Sequence, residues 1–195
     1  MNEGSTSNAK SSKGPRLLLF VLMGLVLLTG CAVGGVWMFN QTKLQKPLQR
    51  VLISEPRNQI LKARVHFDGW VDTHSVVFDL TDVGDQASQA DVFRILLQYA
   101  SELKDHQYGR IILAAYGQKK FVIPGDYFQQ LGQQYGTQNP IYTVRTFSHH
   151  LSKMDGAMAF PEPNGGLLWV LGEEMKQFNE FNRGWYLDDF AARHK

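Results

Sequence analysis

Apolar residues fall into distinct patterns along the chain, and each predicts a different kind of element. From Leu17 to Phe39 they form a continuous run of 23 residues. As a helix this is about 34 Å long, against a hydrocarbon core of about 30 Å. No polar face interrupts it, so it predicts a transmembrane helix or a signal-type segment. Residues 1–16 ahead of it are small, polar and basic and read as a disordered leader. Residues 40–58, interrupted by Pro47 and Pro56, read as a tether in which Val51-Leu52-Ile53 supplies a short strand.

The period then drops to two. Leu61, Ala63, Val65 and Phe67 alternate with Lys62, Arg64 and His66, a half-buried strand, and Ser75–Leu80 is a second, more apolar one. Val92, Ile95, Leu96, Tyr99, Ala100 and Leu103 recur at helical spacing, with Ser88 or Asp85 as the cap. Arg110–Tyr116 follows as a nearly all-apolar strand, so strand, helix and strand predict a βαβ unit. Gly117–Lys120 turns the chain back into Phe121–Ile123, and Pro124-Gly125-Asp126 starts a helix carrying Tyr127, Phe128, Leu131 and Tyr135. Ile141–Phe147 reads as a strand, 148–166 as irregular, Leu167–Val170 as a strand and Glu173–Arg183 as a helix. The expected fold over residues 51–195 is one α/β (or α+β) domain, a mixed sheet of about four to six strands with flanking helices.

Charge sharpens the division. The chain has 20 Lys+Arg and 18 Asp+Glu, net +2, but Lys10, Lys13 and Arg16 against Glu3 account for all of that excess. The domain is neutral and lacks the basic footprint of a nucleic-acid binder. Lys10, Lys13 and Arg16 before the apolar run are matched by Lys43, Lys46 and Arg50 after it, so flanking charge sets no orientation. A short leader followed by one span predicts a single-pass protein of the bacterial inner membrane with its C-terminal domain periplasmic. Leu28-Thr29-Gly30-Cys31 resembles the lipobox of bacterial lipoproteins, and that resemblance implies a structural lipoprotein lipidated at Cys31. The apolar run continues from Ala32 to Phe39 where a lipoprotein has a polar tether, which favours the uncleaved span. Gly30 and Gly34 have the small-residue spacing that lets two spans pack as a homodimer.

Candidate chemistry is sparse. Asp79, Asp82 and Asp85 lie near a predicted strand end, where open α/β sheets place ligands, and three carboxylates suit a hard divalent cation. With Tyr116 or His149 as partner, Asp79 and Asp82 are the candidate catalytic residues of a periplasmic metal- or acid-dependent hydrolase. Val76–Asp82 faintly resembles the nucleophile motif of haloacid-dehalogenase-like phosphatases, with Thr81 standing where that family has its acid–base aspartate. No phosphate-binding glycine motif, zinc motif or serine-nucleophile motif is present, so no cofactor is expected. Arg183 with Trp185, Tyr186 and Phe190 forms an aromatic-plus-arginine set suited to an interface. The expected function is therefore a membrane-anchored binding or assembly module. Its partners are the lipid bilayer and another envelope or membrane protein, with no nucleic acid.

Overall fold

Residues 40–58 do not form the expected tether, and Val51-Leu52-Ile53 is not a strand. In the computed structural model, which describes Met23, residues 40–69 and residues 72–194, Gln41–Gln45 is a π-helical turn running into α1 (Lys46–Ser54). Pro56–Ile60 follows as a 3₁₀ turn. Pro47 lies in a helical backbone continuous from Asn40, directly after the π-helical turn, which takes up the shift in the hydrogen-bond ladder that its missing N–H imposes. Leu44, Leu48 and Val51 share one buried face. The leader, the apolar run apart from Met23, and Cys31 lie outside the described residues. Among the described residues no helix is long and apolar enough to cross a membrane.

The five strands are β1 (Leu61–Phe67), β2 (Ser75–Val83), β3 (Arg110–Ala115), β4 (Gln118–Pro124) and β5 (Ser152–Lys153). They form one mixed sheet in chain order. β2 and β3 are parallel, with Phe78 opposite Leu113, and the other pairs are antiparallel. α2 (Gln89–Glu102) joins the parallel pair, so the expected βαβ unit is present. Edge strand β1 is closed by the segment before α1. The Phe67 N–H donates to Asn40 Oδ1 at 2.9 Å and the Val65 N–H to Gln45 Oε1 at 3.1 Å. These amides occupy donors that an open edge would offer to another strand.

α3 (Gly125–Gln134), α4 (Pro140–Phe147), α5 (Leu167–Asn182) and α6 (Asp188–Arg193) complete the fold, with a π-helical turn at Arg183–Leu187 between the last two. Two expected strands are helices. Ile141–Phe147 is rich in β-branched residues, but Pro140 opens the turn and Asn139 Oδ1 accepts the Ile141 N–H at 3.0 Å. That start signal overrides β-propensity. Leu167–Val170 forms the first turn of α5, with the Val170 N–H bonded to Gly166 O at 3.0 Å.

The main core lies between one sheet face and the helices. Val76, Phe78 and Leu80 of β2 meet Phe93 and Tyr99 of α2, Phe128 of α3, Phe147 of α4 and Phe181 of α5 there. The opposite sheet face carries a smaller buried cluster built from strand residues, Val77, Ile112 and Ala114 with Val122.

Ser88 caps α2 through a reciprocal box. The Asp91 N–H donates to Ser88 Oγ at 3.2 Å, and the Ser88 N–H donates to Asp91 Oδ2 at 3.0 Å. The Ser88 hydroxyl, then its amide, Arg94 and Arg57, hold the Asp91 carboxyl at about 2, against the opposing effect of burial. Its ordinary value is 3.8, so the folded value is depressed. The stability it supplies is complete above that ordinary value and is lost as pH falls toward 2. Asp91→Asn is expected to lower the urea midpoint at neutral pH and to flatten its decline at acid pH. Equal acid limbs for the two proteins would contradict the assignment.

Candidate functional site

Register and ion pairing decide what the aspartates can do. Asp79 and Asp82 both lie in β2, and a bulge between them, where Lys62 and Ala63 of β1 face Asp82 and Leu80, offsets their odd separation and leaves both on the sheet face of Lys62 and Arg64. Asp79 is 2% exposed, pairs with Arg64 at 3.4 Å and accepts the Gly117 N–H at 3.0 Å. That amide belongs to the β3–β4 turn, where Tyr116 and Gly117 have φ of 52° and 82°. A two-residue hairpin turn of this type requires positive φ at both positions, easy for Gly and strained for Tyr. Asp79 thus clamps a strained turn. Asp82 bonds Lys62 at 2.8 Å, and that hydrogen bond lowers its pKa. Asp85 sits in the exposed turn before α2. Among the described residues no three His, Cys, Asp or Glu side chains stand close enough together to hold a metal ion. The expected oxygen cage from Asp79, Asp82 and Asp85 does not assemble.

Tyr116 does come to the strand ends. Arg193 lies 4.3 Å over its ring, and its hydroxyl is buried with no hydrogen-bond partner among the described residues. Burial raises its pKa first and Asp82 adds to that, while Arg193 opposes and Asp189 reinforces. A phenol that holds its proton this tightly is a poor base near neutral pH. His149 lies in the 3₁₀ turn Ser148–His150, and is not among the charges acting on Tyr116.

The expected interface set also divides. Trp185 is 0% exposed and Tyr186 is 1% exposed. Trp185 stacks on Phe181 at 5.3 Å and donates its indole N–H to Ala114 O at 3.0 Å. Both residues are core. Phe190 is half-buried against His194, and Arg183 alone of the four is exposed.

Two features that the residue patterns did not indicate dominate the surface. The first is a cavity of about 800 Å³ between α2, α3, α4 and α5. Phe93, Leu97, Leu131, Val144, Met175 and Phe178 supply its apolar wall. Gln89, Gln134, Gln138 and Asn179 add polar groups, and among the described residues Arg57 and Arg94 are its only charged lining residues. Both arginines are positioned by Asp91, at 2.9 Å and 2.8 Å. Arg94 also donates to Asn58 Oδ1 at 3.1 Å, while its Nε is buried without a hydrogen-bond acceptor. Asn58 is itself buried and donates to Val51 O and Gln98 Oε1, both at 2.7 Å. This polar network ties the helical entry segment to α2 and fixes one end of the cavity.

The second feature is the exposed start of α5. Leu167, Leu168 and Trp169 are 72%, 84% and 56% exposed. The ring of Trp169 folds back on Gly165, at whose α-carbon a Cβ would lie 3.1 Å from it. Five consecutive apolar residues, Leu167–Leu171, directly after Asn164-Gly165-Gly166 were the available signal. Read as a buried strand, they would have packed inside. Comparisons of the chain with protein-family models, with characterised proteins and with solved structures give no significant match.

Proposed function

We propose that the chain is a membrane-anchored envelope protein whose domain binds a protein partner on the periplasmic side of the bacterial inner membrane. One observation carries this reading, the solvent-exposed Leu167-Leu168-Trp169 at the start of α5. Contiguous exposed apolar side chains mark interaction surfaces. Burying each one removes about 1.5–3 kcal/mol of unfavourable hydration. Glu162 and Glu173 flank the patch in sequence, which disfavours insertion into an anionic leaflet and suits the polar rim of a protein interface. Anchorage rests on the apolar run Leu17–Phe39, which ends immediately before the first described residue of the fold, Asn40. No observation favours the strand-end hydrolase beside it, because Asp79 and Asp82 are already ion-paired with Arg64 and Lys62.

Combined Leu167→Ser, Leu168→Ser and Trp169→Ser replacements test the reading. The substitutions are expected to leave the thermal midpoint of the domain nearly unchanged, because the side chains are exposed. Native electrophoresis of solubilised membranes should then show a complex larger than the free chain for the parent and only the free chain for the variant. A parent chain that already migrates free would contradict the proposal.

A further inference from the structure

The cavity between α2, α3, α4 and α5 is separate from the exposed start of α5, and its chemistry points to a different kind of ligand. Its volume of about 800 Å³ falls within the range of roughly 300–1,000 Å³ usual for small-molecule sites. Aromatic and aliphatic side chains form the wall, and among the described residues both charged ones that line it are arginines.

We propose that this cavity binds one medium-chain fatty carboxylate, with its acyl chain on the wall formed by Phe93, Leu97, Val144 and Phe178 and its head on Arg57 and Arg94. Asp91 and Glu55 both neutralise arginine charge, Asp91 pairing with Arg57 and Arg94 and Glu55 with Arg94, but neither carboxylate lines the cavity. Arg57 reaches Asp91 through one terminal nitrogen, and its side chain is 71% exposed. Arg94 Nε is ion-paired with Glu55 at 3.8 Å, which is beyond hydrogen-bond reach, and is buried with no hydrogen-bond acceptor. A buried donor of this kind costs free energy until an acceptor arrives, and a carboxylate supplies two acceptor oxygens in the geometry a guanidinium matches. The acyl chain supplies the larger share of affinity, because each buried methylene strengthens binding about fourfold.

The test uses the full chain held in lipid nanodiscs and measures retention of radiolabelled dodecanoate above that of protein-free nanodiscs. Saturable retention of one dodecanoate per chain is expected, with decanoate weaker by about fifteenfold. Arg57→Gln should weaken dodecanoate about tenfold or more and leave dodecanol unchanged. Val144→Trp, which fills the cavity, should abolish both. If Val144→Trp fails to fold, Arg57→Gln and the chain-length series still decide the matter. Retention equal to that of empty nanodiscs would overturn the proposal. So would equal binding of dodecanol and dodecanoate with no effect of Arg57→Gln, which would leave a plain apolar groove for a protein side chain. Stronger retention of a lysophospholipid of the same chain length would overturn it in favour of a phosphate head.

Discussion

Trp185→Ala is expected to lower the unfolding free energy by about 3–5 kcal/mol, the range for truncating a large aromatic in a core. The indole fills the space between Phe78, at 6.2 Å, and Phe181, at 5.3 Å. Its loss also leaves Ala114 O without the indole donor. Trp185→Phe keeps most of the apolar area and should cost less, mainly the lost hydrogen bond of about 1 kcal/mol. Urea unfolding of the full chain in micelles, followed by near-UV circular dichroism, separates the two. As a surface anchor, Trp185 would change stability by less than about 0.5 kcal/mol on truncation, so the same experiment distinguishes core from interface.

Gly132→Ala should be nearly as damaging, although it adds a single methyl group. A Cβ at this position of α3 would lie 2.2 Å from Ala100 O and 2.6 Å from its carbonyl carbon in α2. Both are backbone atoms, so no side-chain rotation relieves the clash and the two helices must separate. Overpacking of this kind costs about 1–3 kcal/mol, and a backbone obstacle places it at the upper end. Separation would also loosen the wall shared by Leu97 and Leu131. The variant should therefore show a lower urea midpoint together with weakened dodecanoate retention. A midpoint equal to that of the parent would mean that α2 and α3 are not held this closely.

The legible parts of the fold were those whose periodicity has one physical source. Every residue of the stripe Val92, Ile95, Leu96, Tyr99, Ala100 and Leu103 is buried, because a helix laid on a sheet must be apolar on that side. β1 was legible for the same reason, with its polar positions turned away from the core. Pro47 misled because proline interrupts the regular helical hydrogen-bond ladder, whereas here a π-helical turn directly before it takes up the interruption and the helix continues. At Ile141–Phe147 the β-branched side chains outweighed the Asn-Pro start in the pattern, whereas the cap decided the structure.

The site was less legible because it is assembled at long range. Asp79 and Tyr116 were singled out together, but Asp79 bonds the neighbouring Gly117 amide, in a structural clamp of the turn. The cavity draws on positions from Arg57 to Asn179, so no local spacing announces it. Arg57 and Arg94 become neighbours only because Asn58 and Asp91 fasten the entry segment to α2. Trp185 read as an interface anchor and Trp169 as part of a strand, and the structure reverses them, with Trp185 buried beyond the end of α5 and Trp169 exposed at its start.

The central claim is that the start of α5 meets a protein partner while the chain is anchored in the membrane. A photoreactive amino acid placed at Leu168, with Asp105 as an exposed control, tests it directly in intact cells. The expected result is one discrete heavier adduct of protein mass in the membrane fraction from position 168 and none from position 105. Equal labelling from both positions, adducts of lipid mass only, or a chain that leaves the membrane fraction on alkaline extraction would contradict it.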